Sequence, residues 1–245
     1  MKSTIVNLET KNSTIGDRLA IGYSRQLFEK IAVRSCDIKR VFKLLFNLNP
    51  NKKSYSRTRR KLEKLNGVIK CGLSKERIPR LQIVLRSCLI SKTVQEDTEL
   101  FDEQVVSYTR LDTWFGNGRL AFCACRVLFS IHALQRFIQR TSIDYKNQLE
   151  RSVDLEGITC LSALVDDTLL GSDTNAYAPS NKFIGAWPAE VTQSEAENGW
   201  PDTSAGDLPK IRTLSVRTFF SPDEMSPQVY LQWNGDPRCN FLQTA

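Results

Sequence analysis

The spacing of apolar residues changes period near residue 79, and this change restricts the fold more than any other feature of the chain. Before it, apolar residues recur every three or four positions, the period of an amphipathic helix. Leu19, Ile21, Tyr23, Leu27, Phe28, Ile31 and Ala32 suit a helix over 16–34. Ile38, Val41, Phe42, Leu44, Leu45, Phe46 and Leu48 give a second, over 37–48, with Asp37 as its cap and Asn49-Pro50-Asn51 as its stop. Ser54 or Ser56 then caps a third, from Arg57 to Leu65, which Asn66-Gly67 ends. Residues 1–14 read as a polar arm.

After residue 79 the pattern suits strands. Leu81 to Ile90, Val105 to Leu111 and Arg119 to Phe129 are rich in β-branched and aromatic residues, and Gly116-Asn117-Gly118 makes a turn between the last two. The acidic stretch from Gln95 to Glu103 reads as an exposed loop or short helix. Helical spacing returns over 131–141, with Ser130 as cap, and again in one or two helices within 146–170. Residues 171–210 are rich in Gly, Pro, Ser, Asn and acids and read as loops around one strand, Lys182 to Trp187. Arg212 to Phe220 alternates as a strand, and Ser221-Pro222-Asp223-Glu224 opens a short helix or turn. The expected class is therefore α+β. A basic helical region, about 1–78, precedes an antiparallel sheet with a packed helix, about 79–245.

Charge divides the chain in a similar place. Residues 1–92 hold 22 Lys and Arg against 6 Asp and Glu, whereas residues 93–245 hold 12 against 21. The overall +7 conceals a first part at +16 and a second at −9. The third helix concentrates this charge in Arg57, Arg59, Arg60, Lys61 and Lys64, with Lys52 and Lys53 just before it and only Leu62 and Leu65 to anchor it. Such a surface has three candidate partners: a nucleic-acid phosphate backbone, the acidic half of the chain itself, or an acidic protein. The unit is of helix–turn–helix size. Its simpler reading is a helical hairpin with a solvated basic face, and Lys and Arg can hold a backbone without reading sequence.

Several classes are excluded or disfavoured. No run reaches the roughly 18 uncharged apolar residues of a membrane span, and the first residues lack a signal-peptide core. The seven cysteines are scattered without a CxxC pair, so they read as reduced thiols in a cytoplasmic protein, with no metal site and no cofactor expected. No phosphate loop, GxSxG, HExxH or GxGxxG occurs. The aromatic residues Trp114, Phe115, Trp187, Trp200 and Trp233 read as core or as platforms for bases.

The single histidine, His132, lies four residues before Arg136 and eight before Arg140. On a helix these three share one face, and Ala133, Leu134, Phe137 and Ile138 share the other. An imidazole beside two cations is held toward its neutral form, which can act as a general base. Two guanidiniums can grip a phosphate and the charge that builds on it during attack by a 2′-hydroxyl. These are the parts for RNA cleavage without a metal. The plainer reading is a solvated helix face, with Arg136 and Arg140 paired to acids such as Asp166 or Asp167.

The string Phe129-Ser130-Ile131-His132-Ala133-Leu134-Gln135-Arg136-Phe137-Ile138-Gln139-Arg140 resembles the S-x-H-A-x-x-R-x-x-x-R helix of RelE-like ribonuclease-toxin domains of the barnase–colicin–RelE superfamily. The likeness covers about a dozen residues. It implies a site where this helix meets a curved antiparallel sheet, with His132, Arg136 and Arg140 in it and Arg217 and Thr218 added from the last strand. The function expected is a nucleic-acid-binding protein, with RNA favoured over DNA, whose second region cleaves RNA as a toxin or defence factor. The alternatives are a non-enzymatic DNA- or RNA-binding regulator with an acidic protein-interaction domain, and an assembly protein whose basic and acidic halves dock head to tail.

Overall fold

The computed structural model describes residues 16–74, 79–95, 99–116, 118–141, 148–181, 184–201 and 209–235. The polar arm read at 1–14, Asn117 of the expected turn, Lys182 and Cys239 lie outside the described residues. The chain is α+β, as its periodicity implies. Three helices, α1 (Asp17–Val33), α2 (Ile38–Phe46) and α3 (Lys52–Leu62), precede the strands β1 (Val68–Leu73), β2 (Leu81–Gln95), β3 (Glu99–Gly116) and β4 (Arg119–Ser130). Helices α4 (Ile131–Arg140) and α5 (Leu149–Val165) follow. Then come β5 (Leu170–Ser172), β6 (Asn175–Pro179), β7 (Ala186–Glu195), β8 (Lys210–Val216), a 3-10 turn (Pro222–Glu224) and α6 (Pro227–Asn234).

Local chemistry sets these boundaries. Asp37 starts α2 by accepting the backbone N–H groups of Lys39 and Arg40, and Ser130 starts α4 by accepting that of Ala133 at 3.0 Å. The start of α3 differs from the sequence expectation. Asn51 caps it by accepting from Ser54 N at 2.8 Å, and Ser54 Oγ accepts from Asn49 N instead. The earlier cap puts Lys52 and Lys53 on the helix. Tyr55, which the sequence reading left out, joins Leu62 in anchoring it.

The eight strands form one sheet in the order β1-β2-β3-β4-β8-β7-β6-β5. It is mixed. Every pairing is antiparallel except β4–β8, where Phe129 lies beside Val216 and the chain returns through α4, α5 and three strands. Two segments read as loops are strands. Of the Gln95–Glu103 stretch, Gln95 ends β2 and Glu99–Glu103 begin β3, paired from Gln95–Glu99 onward, while residues 96–98 lie outside the described residues. The Pro- and Gly-rich 171–210 region, read as loops around one strand at Lys182–Trp187, holds β5, β6 and β7; only Ala186 and Trp187 of that expected strand lie in β7, and Pro179 and Pro188 sit in strands that composition alone disfavours. The last strand ends at Val216, before the expected Phe220, which only bridges Ala186.

Alternation along β2 splits the core. Val84 faces the layer of α1, α4 and α5 with Tyr108, Phe129, Phe137 and Trp187, while Ile83 and Leu85 face α2 and α3 with Phe42, Tyr55 and Trp200. The first core therefore runs without a break from α1, in the basic region, to Phe219. A third cluster seats Val229 and Trp233 of α6 against Ala186 and Met225.

One ion-pair network ties the first layer to the sheet. Arg86 of β2 is 3% exposed and donates two hydrogen bonds to Asp154, at 2.8 and 3.0 Å, and one to Glu150 at 2.7 Å. Tyr108 of β3 donates to the same Asp154 at 2.8 Å, and Lys30 of α1 reaches Glu150 at 2.6 Å. Gly157 permits the contact, since a Cβ there would lie 2.5 Å from the Tyr108 ring. A buried cation loses far more when its partner is removed than the pair gains by forming. Asp154→Ala should therefore lower unfolding free energy by about 3 kcal/mol, as for other broken buried pairs. Urea denaturation measures this, and a loss below about 1 kcal/mol, the scale of a solvent-exposed pair, would contradict it.

Candidate functional site

Two constellations came from the sequence, and they lie on opposite faces of the sheet. Helix α4 packs in the layer with α1 and α5, and α3 packs on the other side with α2.

On α4, Ala133, Leu134, Phe137 and Ile138 are buried, which turns His132, Arg136 and Arg140 outward along one stripe. The stripe is not a uniform cationic surface. His132 is exposed, makes no hydrogen bond or ion pair among the described residues, and has Glu103 of β3 as an electrostatic neighbour. Burial pushes the Glu103 carboxyl up, and the imidazole opposes that shift. Arg136 donates to Gln139 at 3.3 Å, and Gln139 donates to Asp17 of α1 at 2.9 Å. Arg140 is held on two sides: it donates to the Phe219 carbonyl and pairs with Glu224. Burial lowers the Arg140 pKa despite that pairing, and Arg136 adds to the lowering.

Asp166 and Asp167 are not the acids that pair with this stripe. They close α5 instead, and Asp167 pairs with Arg212 at 3.2 Å. Glu224 was missed as a partner. Its place in the Ser221-Pro222-Asp223-Glu224 turn was readable, and its carboxylate does accept from Ser221 N and Oγ as a capping box requires. Its distance from Arg140 was not. Arg217 and Thr218 follow β8 at the edge where α4 begins. Arg217 is exposed and donates to Glu190 of β7 at 2.5 Å, while Thr218 is half-buried. Of the five residues, the structure brings Arg140 and the segment carrying Arg217 and Thr218 together, through the Phe219 carbonyl.

On α3 the arrangement is simpler. Tyr55, Thr58 and Leu62 face the core, and the opposite half of the helix carries the charge. Lys52, Lys53, Arg57, Arg60, Lys61 and Lys64, with Ser56, line one shallow depression of about 740 Å³. All six cations are exposed, and none forms an ion pair among the described residues. Arg59 stands apart, held by Glu63 at 2.7 Å. Lys64 also lines a second hollow with Arg40, Asp37, Ser35 and Asn66, so the cationic surface continues to the start of α2. The sequence reading named every cation of the larger depression. Ser56, a hydroxyl donor among them, entered it only as a possible cap.

The aromatic platforms are not free. Trp187, Trp200 and Trp233 are buried, and Arg80 lies 5.3 Å above the half-buried ring of Trp114. The six described cysteines are free thiols, and among the described residues no helix is long and apolar enough to cross a membrane.

The most perturbed carboxyl is one the sequence did not single out. Glu156 of α5 is 2% exposed and accepts from Trp187 Nε1 at 2.8 Å and from Asn181 N at 2.9 Å, both on one oxygen. Burial pushes its pKa up to about 7, and the two hydrogen bonds oppose the shift. It is a structural pin between α5 and the β6–β7 connection.

Compared with protein-family models, with curated proteins and with solved structures, the chain matches none.

The Glu156 geometry has a pH signature. The unfolded chain ionises near 4.5 and the folded chain only near 7, so the wild type should lose stability between these values, by on the order of 3 kcal/mol in total. Below 4.5 this loss is absent, and above 7 it is complete. Glu156→Gln keeps an acceptor oxygen for both donors and carries no charge. Denaturant midpoints measured from pH 4 to 8 should show the wild type falling relative to this variant, and parallel curves would contradict the assignment.

Proposed function

We propose that this protein binds nucleic acid through its phosphate backbone, using the exposed half of α3. The observation that carries this reading is six neighbouring cations that the described residues leave without a carboxylate. Keeping like charges close together costs free energy, and a polyanion that displaces its own counterions onto them repays that cost. Ser56 adds a hydroxyl donor of the kind that contacts phosphate oxygens. The lining contains no Asn, Gln, Asp or Glu for adenine or cytosine edges, and its guanidiniums, ammoniums and hydroxyl all suit phosphate oxygens.

The non-enzymatic alternative fits better than RNA cleavage. Attack at phosphorus would call on the Arg140 charge, which Glu224 already neutralises while the Phe219 carbonyl takes another of its donors. An RNA held on α3 would also lie across the sheet from His132. The resemblance of α4 to RelE-like helices stays a likeness of one segment, with an exposed imidazole and Arg136 as its support.

Two measurements test the proposal. Fluorescence anisotropy with a labelled 20-mer should give log K falling against log salt with a slope near −4 to −5 if all six cations contact phosphates. Replacing Arg57, Arg60 and Lys61 together by Ala should flatten that slope by about 2 to 3 with little change in melting temperature, because all three are exposed. An unchanged slope in a folded variant would place the contact elsewhere. Separately, RNA incubated with the protein in EDTA should stay intact with both the wild type and His132→Ala. Cleavage lost in the His132 variant would overturn the non-enzymatic reading.

A further inference from the structure

We infer that the ligand of the α3 surface is double-stranded DNA, with the helix laid against the two phosphate lines that flank its major groove. This rests on the phosphate-binding reading above. The cations of α3 fall into two rows. Lys52 and Arg60 lie in one row with the Ser56 hydroxyl between them, Lys53, Arg57 and Lys61 form the neighbouring row, and Lys64 follows just past the helix end. Adjacent residues on a helix are about 100° apart, so the rows flank the exposed half, with Tyr55, Thr58 and Leu62 at the back. Successive charges rise about 6 Å along Lys53, Arg57 and Lys61 and about 12 Å from Lys52 to Arg60, and Lys52 to Lys61 spans about 14 Å of helix axis.

A single strand presents one line of phosphates. It engages one row fully and leaves the other in solvent. A duplex presents two lines, one on either side of a groove. The B-form major groove, about 12 Å wide, admits an α-helix, whereas the A-form major groove of double-stranded RNA is too narrow and deep. Two rows on one helix therefore match B-form DNA best.

The second argument comes from what the lining lacks. Surfaces that hold single strands add aromatic rings on which bases stack. None lines this depression. The exposed ring nearest in sequence, Phe46, ends α2 and is 62% exposed, but it is not part of the lining. A site that works by charge alone favours the ligand with the greater charge density. Duplex DNA carries a charge about every 1.7 Å, a single strand about every 3.4 Å.

The full chain, titrated against labelled 20-mers of one sequence as duplex DNA, duplex RNA and single-stranded DNA, tests this. Duplex DNA should bind roughly tenfold tighter than either other form near 0.1 M salt, and its log K should fall more steeply with log salt, with a slope near −5 against about −2 for a single strand held by the three cations of one row. A second, unrelated duplex sequence should bind as well as the first. Phe46→Ala should leave all affinities unchanged. Equal or tighter binding of single-stranded DNA or duplex RNA would overturn the assignment, and so would a loss of single-strand affinity in the Phe46 variant. Binding of none of the three would instead remove the phosphate-binding reading beneath it.

Discussion

The guanidinium of Arg86 is the point on which the architecture depends. It is carried on β2, almost wholly out of water, and its charge is tolerable only because Asp154 and Glu150 approach it from α5. That requirement fixes much else. Gly157 lets α5 descend onto the Tyr108 ring, and the phenol completes the coordination of Asp154. Lys30 brings α1 to the same cluster through Glu150. The backbone of Arg86 is gripped as well. It donates to Gly67 O at 2.6 Å and accepts from Cys36 N at 3.0 Å, and Gly67, at φ +72°, has no room for a side chain beside it. Residues from four elements and two connections thus converge on one residue, whose charge is met by Asp154 and Glu150. A network of this kind specifies one arrangement, because each partial version leaves a buried charge exposed to a low dielectric.

The network also explains how the charge asymmetry is distributed. Several acids of the acidic half pair within it: Glu197 with Arg126, Glu190 with Arg217, Asp167 with Arg212 and Glu224 with Arg140. Glu150 and Asp154 are the acids that cross to the basic half, and they are taken by Arg86, Lys30 and Arg34. Intramolecular docking of the two halves therefore occurs at α5 and leaves α3 aside. Apart from Arg59, the cations of α3 have no ion-pair partner among the described residues, because the fold places them on the other face of the sheet, outside Tyr55 and Leu62.

Periodicity made the elements legible where burial is one-sided. Helices α1, α2 and α4 bury one stripe, so their apolar spacing and the caps Asp37 and Ser130 were readable. Strands β5 and β6, and all of β7 beyond Trp187, were hidden for a physical reason. They are short or proline-bearing and read by composition as loop, yet Ala176 and Ala178 lie in the main core. The sites divide in the same way. Exposed cations on a helix face are local facts, so the α3 surface was almost wholly readable. The state of Arg140 depends on Glu224 and the Phe219 carbonyl, some 80 residues away in the chain and joined to α4 only by the fold. The burial of Glu156 beside Trp187 is hidden from sequence for the same reason.

The most direct test of the account is a footprint of lysine reactivity, comparing acetylation of the free protein with that of the protein bound to duplex DNA. The account predicts protection at Lys52, Lys53, Lys61 and Lys64, the lysines that line the α3 depression. Lys30, already paired to Glu150, and Lys210 of β8 should react equally in both states. Protection spread evenly over all lysines, or absent from those four, would contradict it.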